Sequence, residues 1–141
     1  MTEREQQCRT LWFKAVHKRD RCCQICGVAY SVEAHHLLGR SNWPIAYNVK
    51  FGVCLCPKHH RMFDSAAAQR AEAWDKFIGR LELTDPERTA LIIKTKESPP
   101  PLMRNPDWDD VLAWVKDQYL EIEKDAAWTD DIEPTYRSTI I

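Results

Sequence analysis

The chain has 141 residues, 44% of them hydrophobic and 29% charged, with a formal net charge of −1. A chain of this length makes one compact domain, or a small core with an appendage, and buries roughly two thirds of its unfolded surface, which excludes a multidomain machine. No window approaches the roughly 18 apolar residues of a membrane span, and no basic-then-apolar leader opens the chain, so membrane and secreted classes are disfavoured and a cytoplasmic protein is expected.

The near-zero charge hides an asymmetry. Residues 1–61 carry 10 Lys and Arg against 4 Asp and Glu, a balance of +6, while residues 62–141 carry 10 against 17, a balance of −7. All six cysteines and all five histidines lie in the basic part. Ligand chemistry and positive field thus share one stretch, as expected of a site that handles a polyanion. Adjacent Cys22 and Cys23 bridge awkwardly, and short C-x-x-C and C-x-x-H groups fit a metal in a reducing compartment better than a disulfide framework.

Residues 1–21 read as a helix that packs on the core. Cys8, Leu11, Trp12, Ala15 and Val16 form one stripe, and Arg9, Lys14, Lys18 and Arg19 reach water. Cys8 is expected to be a small core residue and His17 a surface or boundary residue. In the unit 22–65, Tyr30, Val32 and Ala34 alternate with polar residues as a half-buried strand does, and Phe51, Val53 and Leu55 repeat the pattern. The stretch Gly39 to Lys50 is a loop between them. A helix is expected to open at Cys56-Pro57, with proline in its first turn, and to break near Phe63-Asp64-Ser65.

The unit 66–96 is a helical extension, with Ala71, Trp74, Phe77, Ile78 and Leu81 on one face. Thr84 and Glu87 have the spacing of a capping box that opens a further helix. Residues 97–107 form a stiff proline-rich linker. The unit 108–141 carries an amphipathic helix, with Trp108, Val111, Leu112, Val115, Tyr119 and Ile122 as its stripe, and a tail without usable period after Trp128. Such stripes face either the core or a partner, so a homodimer or a protein partner held by the C-terminal helices is one expectation.

Two ligand pairs stand 30 residues apart, Cys23-x-x-Cys26 and Cys56-x-x-His59. Together they supply four soft donors for a closed, tetrahedral, structural Zn²⁺ site. Cys22 is an alternative to Cys23, but its interval to Cys26 is wrong for a tight knuckle. Cys54 is expected to be a buried thiol beside the zinc, pointing to the same side of its strand as Cys56. A second polar set remains. His60 and Asp64 share one helix face, and His35 and His36, as strand neighbours, point to opposite sides. One of the two histidines can join His60 and Asp64 around a divalent ion while the other faces substrate as a base, which is the arrangement metal-assisted hydrolysis requires.

The segments Cys23-x-x-Cys26, Glu33-Ala34-His35-His36 and Leu55-Cys56-Pro57-Lys58-His59-His60 resemble the HNH nuclease family over about residues 20 to 65. The fold class the resemblance implies is α+β, mostly helical, with a small ββα-metal core, an N-terminal helix and additional C-terminal helices. His59 takes the place of the usual second Cys of the second knuckle. His35 then matches a ligand of the catalytic metal, His36 the general base, and His60 the metal-binding His of the helix. Asp64 stands where many members have a last His. The central Asn is displaced: Asn48 is the nearest candidate and Asn42 a weaker substitute. The implied reaction is hydrolysis of double-stranded DNA with Mg²⁺ or Mn²⁺, Ni²⁺ being a further option. Arg40, Lys50, Lys58 and Arg61 are candidate phosphate contacts. Likeness to homing, restriction and phage-encoded nucleases implies a phage or mobile-element origin. The rival reading is a non-catalytic, zinc-stabilised DNA-binding or scaffolding module, and a third is a protein adaptor built on the acidic helices.

Overall fold

The computed structural model describes residues 1–132, with side chains as far as Asp125, so the expectation for the end of the tail lies outside the described residues. The elements in chain order are α1 (Glu3–Asp20), β1 (Glu33–His36), α2 (Trp43–Ala46), a 3-10 turn (Val49–Phe51), β2 (Gly52–Leu55), α3 (Pro57–Phe63), α4 (Ala67–Thr84), α5 (Pro86–Glu97) and α6 (Trp108–Ile132). The architecture is mostly helical around one two-stranded antiparallel sheet, the α+β class expected. Among the described residues no helix is long and apolar enough to cross a membrane.

Helix α1 starts where the Thr2 hydroxyl accepts from Glu5 N and ends at Arg21, whose φ of 61° turns the chain away. It buries Cys8, Trp12, Ala15 and Val16 of the stripe read from the sequence, with Leu11 half-buried beside them. Against this stripe lie Val111, Leu112 and Val115 of α6. The apolar stripe of α6 from Trp108 to Ile122 therefore packs against this core. A second apolar cluster joins β2 to α3, α4 and α5 through Val53, Leu55, Phe63, Phe77 and Ile92.

Ionic groups lock the two halves to the hairpin. The Arg19 guanidinium, expected to reach water, instead donates to the carbonyls of Val49 and Gly52, each at 2.7 Å, and the Asp20 carboxylate accepts from Cys54 N at 2.9 Å. From the other side Arg88 of α5 donates to Lys50 O at 2.8 Å and to Gly52 O at 2.7 Å. Arg19 pairs with Asp20 at 2.8 Å, so this buried charge has a partner as well as hydrogen bonds. Burial, then repulsion from Arg19, push the Arg88 guanidinium down to about 10.

Several local expectations shift. Ser31 has φ 56°, which breaks the extended path, so β1 starts at Glu33 and Tyr30 stands outside it. The expected loop contains α2 and the 3-10 turn, and its Asn42 side chain ties the proline linker by accepting from Met103 N and donating to Pro101 O. In α4 the buried positions are Ala73, Phe77 and Leu81, while Ala71 is exposed. The cap of α5 is Asp85, which accepts from Arg88 N at 3.1 Å; the Thr84 hydroxyl donates back to Leu81 O within α4 instead.

The register pairs Glu33 with Leu55, Ala34 with Cys54, His35 with Val53 and His36 with Gly52. A Cβ on Gly52 would stand 2.5 Å from Trp12 Cζ2 and 2.7 Å from Val16 Cγ2, so only glycine lets α1 lie this close to the hairpin. Both obstructing groups are fully buried, so neither can retreat. The Gly52→Ala variant is expected to lose roughly 1–3 kcal/mol of stability by overpacking. A thermal melt checks this, and an unchanged melting temperature would refute the packing account.

Candidate functional site

The hairpin and α3 carry two clusters of metal-binding side chains. The first is Cys23, Cys26, Cys56 and His59, whose donor atoms all lie within 4.8 Å of one another. Gly27, at φ 81°, turns the first knuckle so that its N–H reaches Cys23 O at 2.8 Å, and Cys56 is the N-cap residue of α3, which brings His59 one turn later onto the same point. The geometry can be tested against a metal. Zn–S bonds of about 2.3 Å and Zn–N bonds of about 2.05 Å in a tetrahedron require S···S edges of about 3.8 Å and S···N edges of about 3.5 Å. Cys26 Sγ to Cys56 Sγ is 3.8 Å, and His59 Nδ1 lies 3.6 Å from Cys23 Sγ and 3.3 Å from Cys56 Sγ. The residues fit Zn²⁺.

Electrostatics agree. Burial raises the Cys23 thiol, but hydrogen bonds from the backbone around Cys56, Cys26 and Ile25 outweigh it and bring the group below its ordinary value. Burial, with the neighbouring sulfurs, pushes Cys26 up to about 11. Adjacent thiolates that repel each other in this way are stabilised together by a cation. Cys22 and Cys54 are not members of the cluster. Cys54 is a buried thiol, as expected, but it donates to Val16 O at 3.8 Å and faces α1. The strand ends at Leu55, so its alternation does not carry through to Cys56.

The second cluster is His35, His60 and Asp64, again with donor atoms within 4.8 Å. His60 and Asp64 are one turn apart at the end of α3, with Nε2 to Oδ2 at 3.6 Å. Donors around an ion with bonds near 2.1 Å span about 3 to 4.2 Å, so this pair fits a small divalent ion. The His35 and His60 rings meet edge to face at 4.8 Å. Glu33, on the same face of β1 as His35, stands 3.8 Å from His60 Nδ1. That carboxylate is placed to orient the ring with Nε2 toward the site. Strand alternation from His35 was the signal for Glu33. Two candidate metal-ligand clusters are thus present, one closed and sulfur-rich, the other open and consistent with a separate divalent site.

His36 points to the opposite side of β1. Its ring lies parallel to the Trp12 indole, 4.0 Å between centroids and 4° between planes. Burial, then Arg40, push His36 down to about 4, against an Ala46 backbone hydrogen bond that pulls the other way. Burial, then His60, also push His35 down to about 4. Both imidazoles are neutral at pH 7, and their lone pairs are free to bind a metal or take a proton. Asn48 caps the 3-10 turn, its Oδ1 accepting from Lys50 N at 3.0 Å.

His35, His36, His60 and Asp64 all line one cleft of about 1040 Å³. Arg40 lines it too, whereas Lys50, Lys58 and Arg61 are exposed but are not among its walls. Helix α1 contributes Arg9, Phe13, Lys14, His17 and Lys18 to its lining. The sequence shows Arg9, Lys14 and Lys18 as water-facing and His17 as a surface or boundary residue; that they share a cleft with the histidines follows only from how α1 docks.

Comparison with protein-family models, with curated proteins and with solved structures finds no match for this chain. The class rests on the molecule itself. A β1–β2 hairpin followed by α3 and joined by a Cys3His cluster is a ββα motif consistent with the core of an HNH-like ββα-metal nuclease.

Proposed function

We propose that this protein is a metal-dependent endonuclease that hydrolyses phosphodiester bonds of double-stranded DNA. The observation that carries this reading is the placement, within one basic-walled cleft, of three open metal donors on one side of a strand and a neutral histidine on the other. His35, His60 and Asp64 would hold the ion, and Cys23, Cys26, Cys56 and His59 a structural Zn²⁺. A divalent ion bound there would supply stabilisation of the negative charge that develops on the phosphate. His36 acts as the general base. Its ring nitrogen takes a proton from water as the water oxygen bonds to phosphorus and the bond to the 3′ oxygen breaks, leaving a 5′ phosphate and a 3′ oxyanion that takes a proton from solvent to become the 3′ hydroxyl. The Trp12 stack holds the ring in one orientation, so little ordering is needed at the moment of transfer. Arg40 offers a cation to the phosphate. Lys50, Lys58 and Arg61 are contacts for more distant phosphates, and Asn48 acts through the turn that leads into β2. Three thiolates on zinc imply a reducing, intracellular setting.

The engagement of Asn48 as a cap favours the second reading, a non-catalytic DNA-binding module. One experiment separates the two. Protein treated with EDTA until the weakly held ion is gone, and shown by elemental analysis to retain one zinc, is mixed with supercoiled plasmid. Nicking is expected to return with Mg²⁺, Mn²⁺ or Ni²⁺. If folded, zinc-loaded protein stays inert with all three, the nuclease reading is wrong.

A further inference from the structure

We propose that the outer face of α1, a helix outside the ββα motif, is a phosphate-contacting ridge along which the DNA duplex lies, with Lys14 and Lys18 as its main contacts. The inference rests on the nuclease reading of the cleft and adds the path of the substrate to it.

Helix α1 has two working faces. Cys8, Trp12, Ala15 and Val16 point into the core, and Arg9, Phe13, Lys14, His17 and Lys18 line the same cleft as the histidines. Lys14 and Lys18 are one turn apart and form no ion pair among the described residues, so both ammonium groups are available to an anion. The Arg9 guanidinium lies 5.5 Å above the Phe13 ring, which keeps it extended along the helix. At 1.5 Å rise per residue, Lys14 and Lys18, which share one side of the helix, stand about 6 Å apart along its axis, or about two base steps of one strand at 3.4 Å each. Four fixed cations (Arg9, Lys14, Lys18 and Arg40) face two carboxylates (Glu33 and Asp64) in the lining, and those two carboxylates sit at the second metal cluster. The wall itself is therefore cationic.

The ridge is also rigid. Arg19 and Asp20, just beyond Lys18, are hydrogen-bonded to the carbonyls of Val49 and Gly52 and to Cys54 N, and α6 backs the helix from the other side. A charged surface held at fixed distance from His36 can set which phosphate meets the base, which a mobile arm cannot.

The test is binding of a fluorescein-labelled 20-base-pair duplex to zinc-loaded protein in EDTA, by anisotropy from 50 to 200 mM KCl. Wild type is compared with the double variant Lys14→Ala/Lys18→Ala and with Lys94→Ala, a change on α5. Two lost phosphate contacts should make the slope of log K against log salt shallower by about 2 and weaken binding equally for unrelated sequences. Lys94→Ala should follow wild type. An unchanged slope and affinity in the double variant, or no duplex binding by wild type, overturns the ridge. Plasmid nicking with Mn²⁺ is scored separately. Lysine-dependent binding without nicking by wild type keeps the ridge and removes the hydrolytic reading. Nicking by wild type together with undiminished binding by the double variant does the reverse.

Discussion

His36→Ala is expected to lower plasmid cleavage by about 10²- to 10⁴-fold, the range over which a positioned general base acts, while duplex affinity stays at the wild-type value. Affinity should hold because the proposed phosphate contacts come from α1, Arg40, Lys50, Lys58 and Arg61, and the three proposed metal donors remain. The fold should survive as well, since His36 is only half-buried and Trp12 stays wedged against Gly52 and Val16. The pH profile supplies an independent check. Burial and Arg40 push His36 from its ordinary 6.5 down to about 4, so the imidazole remains neutral as pH falls through 6. The acid limb of wild-type cleavage should therefore lie well below 6.5, with activity lost as pH approaches about 4. Single-turnover rates at saturating protein, measured across pH, read this directly. A His36→Ala protein that cuts at full rate, or a wild-type limb centred at 6.5, contradicts the assignment.

Removing one sulfur of the closed cluster should have the largest effect on stability. Cys56 leads out of β2, occupies the N-cap position of α3 and stands beside Cys26 and His59, so a metal bound to its sulfur would link the knuckle, the sheet and the helix. Metal held by such a site contributes its binding free energy to folding, and an incomplete ligand set forfeits a large part of it. Cys56→Ser is expected to lose on the order of 5 kcal/mol, comparable with the whole stability of a marginal domain, and to bind less than one zinc per chain. Thermal melts and elemental analysis measure both. Cys54→Ala is the control, because its sulfur faces Val16 and belongs to neither metal cluster. It should keep full zinc and show only the modest loss of a buried small side chain. Equal zinc content in Cys56→Ser and wild type would disprove the ligand assignment.

Much of the site could be read without coordinates because its parts are local. A C-x-x-C or C-x-x-H knuckle needs one turn of chain to aim two donors at one point, and strand alternation alone separates His35 from His36. The stripe Cys8, Trp12, Ala15 and Val16 was equally legible, since helical periodicity is written in a short window. Local competition produced the errors. Asp85 is a better cap than Thr84 and took the position; Ser31 adopted a positive φ that alternation cannot reveal; and the face of α4 turned to bury Ala73 in place of Ala71.

By itself the sequence determined which residues carry ligand chemistry, how they pair and that their stretch of chain is positively charged. Tertiary structure alone decided what faces them. That Trp12 covers His36, that Arg19 and Arg88 clasp Gly52 from two sides, that Glu33 attends His60, and that α1 supplies a cationic wall all depend on how a helix docks on a hairpin some 30 residues away. The physical reason is range. Side-chain donors one turn apart are brought together by backbone geometry that a short window encodes, whereas docking is set by the summed packing of α1, α6 and the sheet, where the absence of one Cβ at Gly52 fixes the approach.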